Sequence, residues 1–179
     1  GLQRPTAFDV LRVAPEKAPA SKQAVVFLHG FAGNYVFECH LLARTARGLG
    51  LSTICPSTGV AGEWWRDDGP AILEATMAEA HRQGVREVVL AGLSNGAVGA
   101  ARLARRIARR RKGWPRVRGV LLLFGGDPGA VPAAVPTLVI GARGDRRVSQ
   151  RCVRGTASRA PRGRLVLPQA REDGEQRMV

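Results

Sequence analysis

Histidine is scarce in this chain. His29, His40 and His81 are the three that occur, and none follows residue 81. Histidine is the side chain whose ordinary pKa lies nearest neutral pH, and it is the commonest general base in proteins. A mechanism that needs a histidine from the second half of the chain therefore has no candidate among these 179 residues.

Three further features are missing or weak. No apolar run approaches the ~20 residues that a transmembrane helix needs, so we predict no integral membrane segment. Aromatic residues make up 5% of the chain and no nucleic-acid-binding motif is recognisable, which disfavours nucleic acid as a partner. Cys39, Cys55 and Cys152 are widely spaced, so we expect neither a disulfide framework nor a zinc site. No metal or cofactor is predicted, and no feature predicts an oligomeric state.

Basic residues outnumber acidic residues 28 to 14, for a formal charge of +14. Their densest run, residues 105–112, closes the helix predicted after residue 94. The simplest interpretation is a solvated helix face whose cations meet the negative end of the helix dipole. The alternatives are binding to nucleic acid or to an anionic surface, and steering of an anionic substrate.

Short apolar segments alternate with amphipathic ones along the chain, a pattern typical of a parallel sheet with helices on both faces. We predict a single three-layer α/β/α domain over residues 1–179, with a charged irregular tail at 169–179. The predicted strands are 8–13, 24–28, 52–55, 87–92, 117–124, 137–141 and 164–167, and the predicted helices are 34–48, 69–82, 95–110 and 148–159.

The most informative motif is Gly92-Leu93-Ser94-Asn95-Gly96, which follows the predicted strand 87–92 and opens the predicted helix 95–110. Such a Gly-x-Ser-x-Gly pattern is typical of a sharp strand-to-helix turn that exposes a nucleophilic serine hydroxyl. Glycines two residues on either side keep the turn free of side-chain clashes. The alternative interpretation is an ordinary glycine-rich turn.

Two further segments follow predicted strands. His29-Gly30-Phe31 comes after 24–28, and Asp145 lies in a glycine-bearing loop after 137–141. Right-handed crossovers place the carboxyl ends of parallel strands at one edge, so Ser94, Phe31 and Asp145 should lie along it.

With these three motifs in this order, residues 8–168 resemble the α/β-hydrolase family of serine esterases and lipases. The resemblance implies Ser94 as nucleophile, an oxyanion hole formed by the backbone N–H groups of Phe31 and Asn95, and Asp145 as the acid that orients a histidine. It also implies a structural role for His29 and a small-molecule ester or acyl substrate.

Several of these residues have a second interpretation. Asp145 could instead serve as a helix N-cap or turn residue. Asp127 follows an earlier strand where some family members place the acid, although Asp-Pro-Gly is also a strong turn signal. Trp64 and Trp65 are candidates for an aromatic substrate-binding wall, and the alternative is a packing anchor.

The family's histidine normally follows the last strand, and here the segment after Pro168 contains none. Three explanations compete: the native chain continues or has an altered ending, the protein is a pseudo-enzyme that keeps the scaffold, or another histidine substitutes. The rival functions are accordingly a non-catalytic binding or scaffold protein and a basic protein that associates with nucleic acid.

Overall fold

The computed structural model describes residues 9–15, 22–31, 35–60, 62–109, 112–130, 135–143, 145, 148–160 and 162–168. Within them the chain forms seven strands and four helices, which alternate except that β2 follows β1 and β6 follows β5 directly. In chain order the elements are β1 (Val10–Val13), β2 (Gln23–Leu28), α1 (Tyr35–Gly48), β3 (Ser52–Pro56), α2 (Gly69–Arg82), β4 (Glu87–Leu93), α3 (Asn95–Ala108), β5 (Arg116–Leu123), β6 (Thr137–Ile140), α4 (Gln150–Arg159) and β7 (Gly163–Val166).

All seven strands join one sheet in the order β1-β3-β2-β4-β5-β6-β7. β1 runs antiparallel to β3, and every other neighbouring pair is parallel. The carboxyl ends of four adjacent strands are level, because Leu93 pairs with Leu123, Leu123 with Ile140, and Ile140 with Val166. The loops that leave these strands therefore start side by side at one edge of the sheet.

The predicted three-layer α/β architecture is confirmed. Each predicted strand and helix is present, with ends that shift by one or two residues, and α2 has the predicted bounds. The predicted tail at 169–179 lies outside the described residues.

Two apolar clusters lie on the two faces of the sheet. In β2, Val26 and Leu28 join the larger cluster with buried side chains of α2, α3 and α4, whereas Val25 and Phe27 join the smaller one with α1. This split follows from the alternation of side chains along a strand. Among the described residues, no helix has both the length and the apolar composition that crossing a membrane would require.

The expectation of no disulfide is wrong. Cys39 of α1 and Cys55 of β3 form a disulfide with a Cα–Cα distance of 6.1 Å. Both residues are buried in the smaller cluster, where α1 packs on β3. Sixteen residues separate the two cysteines, and their spacing alone did not indicate that the turn after α1 returns the chain to the same face. Cys152 remains a thiol.

Removing this cross-link should destabilise the fold. A disulfide that closes a loop of this length reduces the conformational entropy of the unfolded chain, which stabilises the fold by about 3 kcal/mol. Cys39→Ala/Cys55→Ala should therefore lower the free energy of unfolding by about that amount. Urea titration measures the change, with Cys152→Ala as the control that leaves the disulfide intact. Equal unfolding midpoints for the wild type and the double variant, both without reductant, would contradict the assignment.

Candidate active site

Ser94 occupies the single residue between β4 and α3, and its backbone is in an unusual conformation. Its φ is 52° and its ψ is −115°, a backbone conformation that residues other than glycine rarely adopt. The backbone N–H of Ser94 donates to Leu123 O at 2.9 Å, which ties the turn to the neighbouring strand. The residue is partly exposed at this edge of the sheet.

Close backbone packing explains the glycines around Ser94. A Cβ at Gly92 would lie 2.1 Å from Gly96 O, and a Cβ at Gly96 would lie 1.9 Å from Leu28 O. Both positions therefore exclude any side chain. A third glycine, Gly125 in the loop after β5, approaches from the other side, since its Cβ would lie 2.5 Å from Ser94 O.

The loop after β2 reaches the same point. A Cβ at Gly30 would lie 3.3 Å from Ser94 Cβ, so this loop passes directly beside the serine. The N–H of Gly30 donates to Glu38 Oε2 at 3.3 Å, which anchors the loop to the first turn of α1. The next residue, Phe31, has a side chain that is 65% exposed. Asn95 follows Ser94 in the chain, and Phe31 follows Gly30 in the loop that passes beside the serine.

Asp145 lies in the loop that leaves β6 at this edge. Its Oδ1 accepts a hydrogen bond from the backbone N–H of Val148 at 3.0 Å. This contact ties Asp145 to the residue before Ser149, the N-cap of α4. One strand, β5, separates β4 from β6, so the ends of β4 and β6 are about 10 Å apart.

The three histidines lie in three different environments. His29 is buried, and its Nε2 accepts from the N–H of Thr58 at 3.3 Å, which leaves Nδ1 to carry the proton toward Gly30 O at 2.8 Å. His40 is exposed on α1, and His81 lies at the end of α2, at the opposite edge of the sheet. Within the described part of the chain, no histidine is hydrogen-bonded to Ser94.

Trp64 is completely buried, with 0% exposure. Its Nε1 donates to His29 O at 3.0 Å, and its ring meets the His29 ring edge-on at 5.3 Å. A Cβ at Gly99 of α3 would lie 2.4 Å from Trp64 Cβ, so α3 packs directly on this side chain. Trp64 offers no surface to a ligand here, and its environment matches the packing interpretation. Trp65 is half-buried, and the guanidinium of Arg102 lies 4.8 Å above its ring.

Asp127 is held by Arg102 rather than directed at Ser94. Arg102 Nε donates to Asp127 Oδ2 at 2.6 Å, and the N–H of Gly129 donates to Oδ1 at 2.9 Å. The hydrogen bond from Arg102 keeps the pKa of Asp127 below its usual value, against the opposing effect of burial. Sequence reasoning missed Arg102. The feature that could have predicted this contact is an arginine on α3 beside the Gly125-Gly126-Asp127 loop.

Cys152 faces the same loop. Its Sγ lies 3.3 Å from Gly126 O, which accepts its weak hydrogen bond. Burial raises the pKa of the Cys152 thiol, and the negative charge of Asp127 raises it further. The thiol is therefore the stable form at neutral pH, and a nucleophilic role is disfavoured.

Adding a methyl group at Gly96 should disrupt the turn. Gly96→Ala forces a Cβ against Leu28 O, and we expect it to lower the free energy of unfolding by about 3 kcal/mol or more. Gly48→Ala is the matched control, because nothing lies within 4 Å of a Cβ there and alanine is the better helix former. Equal urea midpoints for the two variants would contradict this close packing.

The ion pair of Arg102 and Asp127 should make stability depend on pH. The folded-state pKa of Asp127 is depressed, so the pair stabilises the protein above about pH 4 and the contribution is lost as the pH falls through the folded-state value. We expect Arg102→Met to cost up to about 1 kcal/mol at pH 7, the range of partly exposed pairs, and less below pH ~3. Arg105→Met, an exposed neighbour on α3, is the control. A cost that is the same at both pH values would refute the ion-pair account.

Comparison with known proteins identifies the fold. No family model and no curated protein matches the sequence, but many solved structures are similar to this structure. A phospholipase/carboxylesterase from Dyadobacter fermentans is 18% identical, with a TM-score of 0.65 over 91% of this chain and 86% of that one. Est1E from Butyrivibrio proteoclasticus is 12% identical, with a TM-score of 0.73 over 90% and 84%.

A third such structure is a dienelactone hydrolase from Anabaena variabilis, 19% identical, with a TM-score of 0.69 over 90% of this chain and 80% of that one. The seven-stranded, mostly parallel sheet and these matches lead to one conclusion: the chain has the α/β-hydrolase fold.

Proposed function

We propose that this protein is a serine hydrolase that acts on carboxylic esters or related acyl substrates, with Ser94 as its nucleophile. The observation that carries the proposal is the backbone of Ser94, with φ 52° and ψ −115°. Such a conformation costs on the order of 1–3 kcal/mol and persists where the surrounding structure enforces it, most often at functional sites. Here Gly92 and Gly96 enforce it through backbone contacts.

The proposed reaction has two stages. Ser94 Oγ attacks the acyl carbon as a base removes its proton, and the carbonyl oxygen becomes an oxyanion. The N–H groups of Phe31 and Asn95 stabilise that charge, each by about 3 kcal/mol in comparable sites. Collapse of this intermediate releases the alcohol, which takes up the proton. Water then hydrolyses the acyl-serine by the same sequence and releases the acid.

Asp145 is the proposed acid of the site. Oδ1 is engaged by Val148, and the carboxylate would orient a base and stabilise its protonated form. β7 ends at Val166, level with the strand that precedes Asp145. The described chain thus leaves β7, at residues 167–168, from the same edge of the sheet as the Asp145 loop.

The second candidate function is a non-catalytic binding protein on the same fold. It is favoured by the lack of any histidine after Ser94 in these 179 residues and by the engagement of both ring nitrogens of His29. Without a base, ester hydrolysis would keep the contribution of the oxyanion hole and substrate binding, about 10³-fold over water.

The names of the similar solved structures agree with ester chemistry, since one is a phospholipase/carboxylesterase and another is a dienelactone hydrolase. They support acyl hydrolysis as the reaction class. The acyl and alcohol groups of the substrate are not specified by the fold, because substrate choice depends on the loops around the site.

Labelling with a fluorophosphonate probe tests the proposal. We expect a single covalent adduct by intact mass on the wild type, because an activated serine attacks phosphorus as it attacks an ester. Ser94→Ala should abolish the adduct. Ser158→Ala, which removes an exposed hydroxyl on α4, should retain it.

Absence of an adduct on folded wild-type protein would reject the enzyme and favour the binding protein. An adduct that survives in Ser94→Ala would show a different nucleophile and would also refute the proposal.

A further inference from the structure

A cavity of about 430 Å³ opens at the edge of the sheet opposite Ser94. It lies where α3 ends and where β4 and β5 begin. β4 has seven residues, so this edge is about 20 Å from Ser94 along the strand. The volume falls in the range of small-molecule sites, about 300–1,000 Å³.

Four cationic side chains surround this cavity: Arg86, Arg109, Lys112 and Arg116. Within the described residues, none of the four forms an ion pair with a carboxylate. Elsewhere the protein does pair its arginines: Arg66, Arg82, Arg102, Arg106 and Arg118 each lie within 4.0 Å of an aspartate or glutamate oxygen. Among the described residues, the carboxylates therefore pair with arginines other than these four, and Glu87, the register partner of Arg116, pairs with Arg118.

The position of Arg86 is fixed by its neighbours. Its Nη1 donates to His81 O at 3.0 Å and to Val85 O at 3.2 Å, and its own carbonyl accepts from the N–H of Arg116 at 2.8 Å. The guanidinium of Arg86 is thus held by two backbone carbonyls, and the backbone of Arg116 is tied to the same segment. Such anchoring reduces the entropy that a ligand must remove on binding.

The remainder of the lining is apolar. Ile107 and Val117 are buried side chains at its base, and Trp114 and Pro115 form part of its wall. A second cavity on α3 offers a contrast, because arginines alone line it and two of them, Arg102 and Arg106, are paired with carboxylates. Among the described residues, the combination of cations without a carboxylate partner and an apolar wall belongs to the first cavity.

We propose that this cavity binds an organic phosphate. The guanidinium and ammonium groups take the phosphate oxygens, for which their hydrogen-bond geometry is suited, and the wall of Trp114 and Ile107 takes the attached planar or apolar group. A free nucleotide and a lipid headgroup share this chemistry. The site is separate from Ser94 and does not depend on the function proposed for it.

Calorimetric titration with ADP tests the site. Arg86→Gln/Arg116→Gln removes two lining charges, and we expect it to weaken ADP binding by about 10-fold or more, since each loses charge-assisted hydrogen bonds. Arg44→Gln/Arg151→Gln removes the same net charge from exposed positions on α1 and α4 and should leave the affinity within about 2-fold. A second lining pair, Arg109→Gln/Lys112→Gln, should behave like the first, and circular dichroism checks that each variant is folded.

Vesicles containing phosphatidic acid distinguish the two sources. A lipid headgroup is identified if the protein binds the vesicles but not ADP. In that case the lining-pair variant should lose vesicle binding and the control-pair variant should keep it. Saturable ADP binding with the same variant pattern identifies a free organic phosphate.

Two results would overturn the proposal: no saturable binding of either probe, or equal weakening by the lining and control pairs. Binding of a single-stranded oligonucleotide alone, weakened equally by both pairs, would instead indicate a general polyanion surface. Pyrophosphate binding as tight as that of ADP would overturn the role given to Trp114.

Discussion

The structure depends on the approach of one backbone to another without a side chain between them. The amino end of α3 lies so close to the end of β2 that a Cβ at Gly96 would meet Leu28 O at 1.9 Å. The loop after β5 presses on Ser94 from the other side through Gly125. These contacts fix the backbone of Ser94, and they bring the β2 loop, the α3 amino end and the β5 loop together around this residue.

The parallel sheet then separates two kinds of chemistry. At the carboxyl edge, strand ends that are level in register bring Ser94 and the Asp145 loop to neighbouring positions. At the amino edge, α3 ends and its arginines meet those at the starts of β4 and β5. Because helices run back antiparallel to the strands, the basic end of α3 must lie at the edge away from Ser94.

Much of this arrangement follows from local sequence. Buried strands such as Val88–Leu90 and the amphipathic period of α3 predict the elements, and parallel topology predicts which edge holds Ser94 and Asp145. Contacts between distant segments are not encoded in a local pattern. The pairing of Cys39 with Cys55, the burial of Trp64 against Gly99, and the capture of Asp127 by Arg102 each depend on how helices settle on the sheet.

The central claim is that Ser94 and two backbone N–H groups form one acyl-transfer site. A crystal structure of the protein after reaction with diethyl 4-nitrophenyl phosphate tests it directly. The account predicts phosphorus bonded to Ser94 Oγ, with the phosphoryl oxygen about 2.7–3.1 Å from the backbone nitrogens of Phe31 and Asn95. A phosphoryl oxygen that points to solvent, or phosphorus bonded to another residue, would contradict it.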